Sequence, residues 1–262
     1  MTNSVISADL RFFDPPPGNR AIYRPGTGLV AHPVTIADAR RLDQEPELDR
    51  EGFRLAEEPS PFQDFDSRDA IIDRYCPEAE RILARLTGAS HAFAFDFTMR
   101  KNARDRGARV QSPALRIHAD FTEGSGRDIA ARLVAAAGLP ATVLERRFAI
   151  VNLWRPIGDA VLEWPLAFCD ARTVAPEDYI LTDLMAEAGA SESYSFRFNP
   201  RQRWYYFPRM SPSEIALIKV FDSATDGRAR FVPHGSFADP ATPEDAPPRQ
   251  SIEVRILALF GA

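Results

Sequence analysis

The sequence predicts a mainly β domain with a few supporting helices, and two observations lead to this fold class. Many short runs alternate apolar with polar residues, and proline or glycine separates these runs from one another. Just two segments show the three- and four-residue apolar spacing of an amphipathic helix, so strands and helices do not alternate as in parallel α/β folds. We therefore predict a double-stranded β-helix, or jelly roll, of the cupin-like kind.

The composition indicates one globular domain that spans residues 1–262. Apolar residues make up 45% of the chain and charged residues 26%, which is ordinary for a soluble protein. A net charge of −5 gives no electrostatic footprint for nucleic acid or an anionic membrane, so we expect a small-molecule partner. The two cysteines form no CxxC pair, and no run of about 18 apolar residues occurs. We expect a cytoplasmic protein without a secretion signal.

The first half of the chain begins with an extended segment and continues into strands and one helical region. Residues 1–33 are rich in proline and glycine and predict an N-terminal arm that lies along the body. Short strands are predicted at 34–36 and 49–55. Residues 67–88 predict a helix, or a helix pair broken at Pro77, with Ser67 as N-cap and Gly88 as the stop. Phenylalanines at every second position predict a strand at 91–98.

The second half predicts one more helix and a series of strands. The helix covers 127–137, after a glycine turn at 124–126, and ends at Gly138. The strongest turn signal is 199–202, which predicts that 193–198 and 203–207 form a hairpin. The other predicted strands are 147–156, 162–170, 179–182, 214–221, 229–234 and 249–256.

The run 116–122 contains the pattern on which the functional interpretation depends. His118 and Asp120 are two residues apart in a strand-like run, so both side chains point to the same side. Together they can bind one metal ion. By itself such a triplet is also compatible with a surface turn or an N-cap.

A third ligand would complete a two-histidine, one-carboxylate set, which suits non-haem Fe(II) because it leaves coordination positions open. Of the other three histidines, His234 is the best placed, since an apolar run precedes it and a glycine follows. Fifteen positions later, Arg249 can bind a carboxylate in bidentate fashion. From there, Arg249, Ser251, Glu253 and Arg255 alternate with aliphatic residues, so one face of the last strand is polar.

Four residues on other predicted strands are candidates for the wall of a substrate pocket. Asn152 and Trp154 share one face of their strand, and Arg155 projects to the opposite face or ends the strand. Tyr205 and Tyr206 can stack against a flat substrate. For each of these residues, ordinary packing or a satisfied buried amide is the alternative.

Several motifs give the chain a resemblance to the asaB-like hydroxylase/desaturase family, which includes a fungal gibberellin desaturase and the cephamycin-methoxylation accessory protein of actinomycetes. The resemblance runs from about Val34 to Leu259. The residues that carry it are Asp49-Arg50-Glu51-Gly52-Phe53, Thr87-Gly88-Ala89, Phe95-Asp96-Phe97-Thr98-Met99-Arg100, His118-Ala119-Asp120-Phe121-Thr122, Asn152-Leu153-Trp154-Arg155-Pro156, His234-Gly235-Ser236-Phe237 and Arg249-Gln250-Ser251-Ile252-Glu253-Val254-Arg255.

The resemblance implies a jelly-roll oxygenase that uses Fe(II), 2-oxoglutarate and dioxygen to hydroxylate or desaturate a small metabolite, with release of succinate and CO2. It implies His118, Asp120 and His234 as iron ligands. Arg249 with Ser251 would hold the 2-oxoglutarate C5 carboxylate, and the alternatives are Arg255, Arg155 or Arg100.

Three other functions are alternatives to the oxygenase. A cupin-like metal hydrolase or isomerase would need the metal ligands but not the arginine, and a non-catalytic binding barrel would need neither. A methyltransferase would need a glycine-rich loop that opens a helix after a first strand, which the sequence lacks.

Overall fold

The computed structural model of the chain describes residues 5–15, 18–25, 27–100, 113–186 and 189–261. Helices α1 (Arg68–Ala70) and α2 (Cys76–Thr87) are joined by a π-helical turn at Ile71–Tyr75, and α3 spans Glu123–Ala136. Short 3-10 turns occur at Ala39–Arg41, Ala141–Glu145, Ala171–Thr173 and Pro176–Asp178. The strands in the described residues are β1 (Val5–Phe13), β2 (Arg20–Tyr23), β3 (Leu29–Asp38), β4 (Phe53–Glu57), β5 (His91–Arg100), β6 (His118–Ala119), β7 (Phe148–Pro156), β8 (Leu166–Cys169), β9 (Tyr179–Ala186), β10 (Gly189–Phe196), β11 (Trp204–Tyr206), β12 (Glu214–Asp222), β13 (His234–Ser236) and β14 (Ser251–Leu259).

The strands form two sheets that pack against each other. The larger sheet has the order β1-β3-β11-β8-β13-β6-β10-β9-β2, and the smaller has the order β4-β12-β7-β14-β5. Neighbouring strands are antiparallel except for the pairs β11–β3 and β2–β9. This arrangement of two mainly antiparallel sheets is the one predicted from the short alternating strands.

Two hydrophobic cores lie on the two faces of the smaller sheet. The inner core fills the space between the sheets and includes Phe53, Phe168 and Phe221. The outer core packs α2 against the other face, where Leu83 meets Val151 and its neighbours. Because β7 and β14 are covered on both sides, their polar residues are buried, except for Arg255, which is partly buried. No helix in the described part of the chain is long and apolar enough to cross a membrane.

The helix boundaries follow from side-chain capping. Ser67 accepts a hydrogen bond from the Ala70 backbone N–H at 3.2 Å, and Gly88 ends α2 at φ 72°, as predicted. Pro77 does not break the helical segment: it is the second residue of α2 and directly follows the π-helical turn, through which the chain stays helical. Helix α3 begins at Glu123 rather than at residue 127, because the Thr122 hydroxyl caps it at the Ser125 N–H.

The segment interpreted as an N-terminal arm forms part of the larger sheet. Strand β1 pairs along its whole length with β3, and β2 pairs with β9. The arm boundary and the single domain over residues 1–262 stay predictions.

The predicted hairpin between 193–198 and 203–207 is wrong. Strand β10 pairs with β6 and β9, whereas β11 pairs with β3 and β8. One edge of β10 is occupied by β9, the strand that directly precedes it, and the other edge by β6, which is distant in sequence. No edge of β10 is left for β11.

Candidate metal centre

The predicted metal ligands meet on neighbouring strands of the larger sheet. Strand β6 pairs with β13 so that His118 lies directly opposite His234, although 116 residues separate them in the chain. Their ring centroids are 4.7 Å apart. Directly opposed residues of an antiparallel pair point to the same face of the sheet. The ladder therefore directs both imidazoles into the same space.

Asp120 completes the cluster. Its Oδ1 lies 3.6 Å from Nε2 of His118, and one ligand atom from each of His118, Asp120 and His234 lies within 4.8 Å of the others. A single ion placed among them would reach all three at ordinary coordination distances. Among the described residues, no other group of three histidine, cysteine or carboxylate side chains is assembled in this way.

Backbone carbonyl groups fix the orientation of both imidazole rings. Nδ1 of His118 lies 2.7 Å from the carbonyl oxygen of Arg116, and Nδ1 of His234 lies 3.0 Å from that of Val232. A carbonyl oxygen can only accept, so each Nδ1 carries the proton and donates it. Each Nε2 is left with its lone pair, which is the form that a metal ion requires.

The charges of the ligands also suit a divalent cation. Burial lowers the pKa of His118 to about 4, so the ring is neutral at pH 7. Burial acts to raise the pKa of Asp120, but the positive charge of Arg255 outweighs it and holds this pKa well below its usual range. Two neutral imidazoles and one carboxylate form the ligand set that Fe(II) accepts with open positions.

Asn152 and Arg255 contact the ligand Asp120 directly. Nδ2 of Asn152 donates to Oδ2 of Asp120 at 2.6 Å, and Nη2 of Arg255 lies 3.4 Å from Oδ1. Arg255 also binds Asp96 at 2.7 Å and Glu253 at 3.1 Å. Both side chains therefore lie around Asp120. The predicted roles of Asn152 at the substrate and of Arg255 as an alternative at the cosubstrate stay predictions.

Arg249 lies near the metal ligands and has unused donors. Its Nη1 donates to the carbonyl oxygen of Trp164 and, at 2.9 Å, to Oγ of Ser236, which lies two residues after His234 on β13. Its Nε and Nη2 are buried and have no hydrogen-bond partner among the described residues, and the same is true of Oγ of Ser251.

A buried cation with unsatisfied N–H groups indicates a binding site for an anion. Burial, together with the charge of the nearby Arg100, lowers the pKa of Arg249 to about 9. Positions i and i+2 of a strand are about 7 Å apart, so Ser236 holds this arginine one such step from His234. The residues present therefore fit a dicarboxylate that reaches from the metal to Arg249.

Arg155, a predicted alternative to Arg249, lies on the opposite face of the smaller sheet. Its Nε donates to the Tyr75 hydroxyl at 2.8 Å, and its Nη1 donates to the carbonyl oxygens of Glu58 at 2.6 Å and Pro212 at 2.8 Å. Strand alternation sends Arg155 outward, while Trp154 points into the inner core. Arg155 therefore has a structural role and does not reach the metal ligands.

A large cavity of about 1170 Å³ opens beside His118 and Asp120. Trp154, Tyr205 and Tyr206 are not among its lining residues. Trp154 is buried with its ring 5.8 Å from the Arg249 guanidinium, and Tyr205 and Tyr206 pack near Phe53 and Phe237, respectively. The prediction that these residues form the substrate wall is therefore not supported by their positions.

Other residues form the wall of this cavity. Apolar parts come from β2, β5, β9, α3 and the chain around residues 113–121, and the polar parts include a buried arginine, Arg116. No role was predicted for Arg116 from the sequence. The sequence contained one indication of its place: Arg116 lies two residues before His118 in the same extended run, so both side chains point to the same side of that run.

Comparisons with known proteins agree with this geometry. The model of the Oxidoreductase/YMDC permease-like domain family matches residues 10–259. The Fe(II)/2-oxoglutarate-dependent dioxygenase nvfI of Aspergillus novofumigatus is 32% identical over 237 residues, which cover 88% of this chain and 84% of that protein. The hydroxylase/desaturase efuI of Hormonema carpetanum is 31% identical over 253 residues, which cover 87% and 83%. The solved structure of the iron and alpha-ketoglutarate-dependent endoperoxidase NvfI matches with a TM-score of 0.89 at 28% identity, over 99% of both chains, and confirms the predicted jelly roll.

Proposed function

Because the chain belongs to the Oxidoreductase/YMDC permease-like family and is an Fe(II)/2-oxoglutarate-dependent dioxygenase, we propose that His118, Asp120 and His234 are its iron ligands. The resemblance to hydroxylases/desaturases is confirmed. The observation that carries the ligand assignment is the convergence of these three side chains within 4.8 Å, with Nδ1 of each imidazole held by a backbone carbonyl oxygen so that Nε2 is the nitrogen left for a metal ion.

Arg249 and Ser251 form the proposed site for the distal carboxylate of 2-oxoglutarate. Nε and Nη2 of Arg249 supply two adjacent buried donors, and the Ser251 hydroxyl supplies a third. The two N–H donors on one edge of a guanidinium match the two oxygens of a carboxylate. A metal hydrolase or isomerase would give these unsatisfied donors no partner, which is why they support a carboxylate cosubstrate.

The residues around the metal have distinct tasks in this enzyme. When bound, Fe(II) with 2-oxoglutarate and dioxygen supplies the oxidising power that hydroxylates or desaturates a substrate, while 2-oxoglutarate becomes succinate and CO2. His118, Asp120 and His234 would hold the metal as a set of two histidines and one carboxylate, which suits Fe(II) because further coordination positions stay open. Asn152 and Arg255 keep the Asp120 carboxylate ionised and in place. Arg249 sets the direction in which the cosubstrate lies.

The cavity beside His118 and Asp120 is the proposed substrate pocket. Its volume of about 1170 Å³ exceeds the roughly 300–1,000 Å³ of ordinary ligand pockets, so it suits a small-molecule substrate larger than a simple amino acid. The two cysteines are free, which supports the proposal of a reducing, cytoplasmic location.

Anaerobic addition of Fe(II) and 2-oxoglutarate tests the ligand assignment. We expect the visible metal-to-ligand charge-transfer band of the chelated cosubstrate in the wild type, and its loss in His118→Ala and in His234→Ala. Tyr205→Phe serves as the control and should keep the band, because Tyr205 does not line the cavity. A band of unchanged intensity in either histidine variant would refute the assignment.

A further inference from the structure

The substrate cavity contains a buried cation that the proposed iron and 2-oxoglutarate sites do not use. Arg116 is 8% exposed and lines the cavity beside His118. Its Nη1 donates to Oγ of Ser195, its Nη2 donates to Oγ of Ser193 at 3.2 Å, and its guanidinium lies 4.8 Å from the centroid of the Tyr23 ring. These neighbours position the side chain but carry no negative charge.

Arg116 makes no ion pair with any of the described carboxylates. Asp120 acts on it only through space, since the oxygens of Asp120 lie against His118, Asn152 and Arg255. A guanidinium has five N–H donors, and two of these groups contact hydroxyls here. A cation held in a low-dielectric cavity without a counter-ion is costly, so such a site favours the entry of an anion.

The carboxylates that line the cavity do not compete for this role. Asp96 and Glu192 each lie within 3.6 Å of an arginine other than Arg116, and Asp128 is exposed to solvent. Their charges are therefore balanced or screened. Arg116 is left as the buried charge that faces the space beside the metal ligands.

We propose that Arg116, together with the Ser193 hydroxyl, binds a carboxylate of the substrate, so that the enzyme acts on an apolar carboxylic acid. This inference rests on the proposed function, because it takes the cavity beside the iron ligands as the substrate pocket. Ser193 accepts from Arg116 and still has its own proton to donate to a bound oxygen. The apolar body of the acid would contact Leu29, Phe121 and Leu184, which line the same cavity.

A matched pair of probes separates charge from shape. 1-Naphthylacetate and 1-naphthylacetamide have the same carbon frame and differ in the anionic group. Both are titrated calorimetrically, without oxygen, into protein loaded with Fe(II) and 2-oxoglutarate, so that the cosubstrate occupies Arg249. The charge-transfer band reports that loading has succeeded and that the probe does not displace 2-oxoglutarate.

We expect the wild type to bind naphthylacetate at least about tenfold more tightly than naphthylacetamide, because a charge-assisted hydrogen bond is lost in the amide. Arg116→Gln should remove this preference by weakening the acetate alone. Arg132→Gln is the control, since Arg132 lines the same cavity but is exposed, and it should leave the preference intact.

Each other outcome decides against the proposal. Equal affinity for the two probes in the wild type, a preference that survives Arg116→Gln, or loss of the band on adding naphthylacetate would overturn it. If Arg116→Gln does not fold, Ser193→Ala replaces it and must weaken the acetate without weakening the amide. Failure of the wild type to form the band at all would instead refute the proposed function.

Discussion

Replacing Arg249 by methionine should greatly weaken 2-oxoglutarate binding while leaving the metal-free protein at least as stable as the wild type. Nε and Nη2 of Arg249 are buried without partners, while Nη1 bonds to Trp164 and Ser236. The unpaired donors stabilise a bound carboxylate but stabilise nothing when the site is empty. Binding and folding should therefore respond to the substitution with opposite signs.

The magnitude follows from the number of donors lost. Each hydrogen bond to a charged group contributes about 1.5–3 kcal/mol, and removing one partner of a buried charged pair costs about 2–5 kcal/mol. A loss of about 4 kcal/mol corresponds to roughly a thousandfold weaker binding. In the metal-free protein, methionine fills similar space without a desolvated charge. We expect the free energy of unfolding to stay equal or rise by up to about 2 kcal/mol.

Anaerobic 2-oxoglutarate titration of the charge-transfer band and chemical denaturation of the metal-free protein measure the two effects. Arg155→Met is the matched control, because it removes another buried arginine, which lies on β7 of the smaller sheet. Arg155 makes three hydrogen bonds on the outer face, so its loss should cost about 3 kcal/mol of stability and leave 2-oxoglutarate affinity unchanged. Normal cosubstrate affinity in Arg249→Met, or a large loss in Arg155→Met, would show that the carboxylate site is assigned to the wrong arginine.

Three further predictions concern the metal ligands. Asn152→Leu should weaken Fe(II) binding by about 10- to 100-fold, since it removes the 2.6 Å hydrogen bond to Asp120. Titration with Fe(II), followed by the charge-transfer band, measures this affinity. Unchanged affinity would mean that Arg255 alone is enough to hold Asp120. Gly235→Ala should also weaken Fe(II) binding and lower the melting temperature. The Cβ of the new alanine would lie 3.1 Å from the Arg116 carbonyl oxygen and press β13 away from β6. Wild-type Fe(II) affinity together with a wild-type melting temperature would contradict this. In the metal-free protein, the folded-state pKa of His118, about 4, lies below the usual 6.5, so the unfolded chain takes the proton first. The contribution of neutral His118 to the free energy of unfolding is fully present above pH 6.5 and falls by up to about 3 kcal/mol as the pH drops to 4. Chemical denaturation of the wild type and of His118→Asn across this pH range should show a steeper fall of the free energy of unfolding in the wild type.

The sequence alone determined the local features of this protein, because each depends on neighbouring residues. Alternation placed the strands and put Ser251, Glu253 and Arg255 on the inner face of β14, opposite Ile252 and its aliphatic neighbours. The spacing of His118 and Asp120 gave two ligands on one side of an extended run. The motifs together also identified the family, because they are far more specific than any one triplet.

The tertiary structure alone decided which distant groups meet. The β6–β13 ladder brings His234 to His118 across 116 residues, and no local pattern specifies that register. Strands β6 and β9 occupy the two edges of β10, which is why the turn signal at 199–202 did not give a hairpin. Which arginine serves the site depended on partners from other strands. Arg255 is bonded to Asp96, Asp120 and Glu253. Arg155 makes three hydrogen bonds on the outer face of the smaller sheet and keeps one buried nitrogen, Nη2, without a partner among the described residues. Arg249 keeps two such nitrogens and is held by Ser236, two residues after His234. Hydrogen-bond satisfaction is a property of the packed chain, and so the sequence could name the candidates but not choose among them.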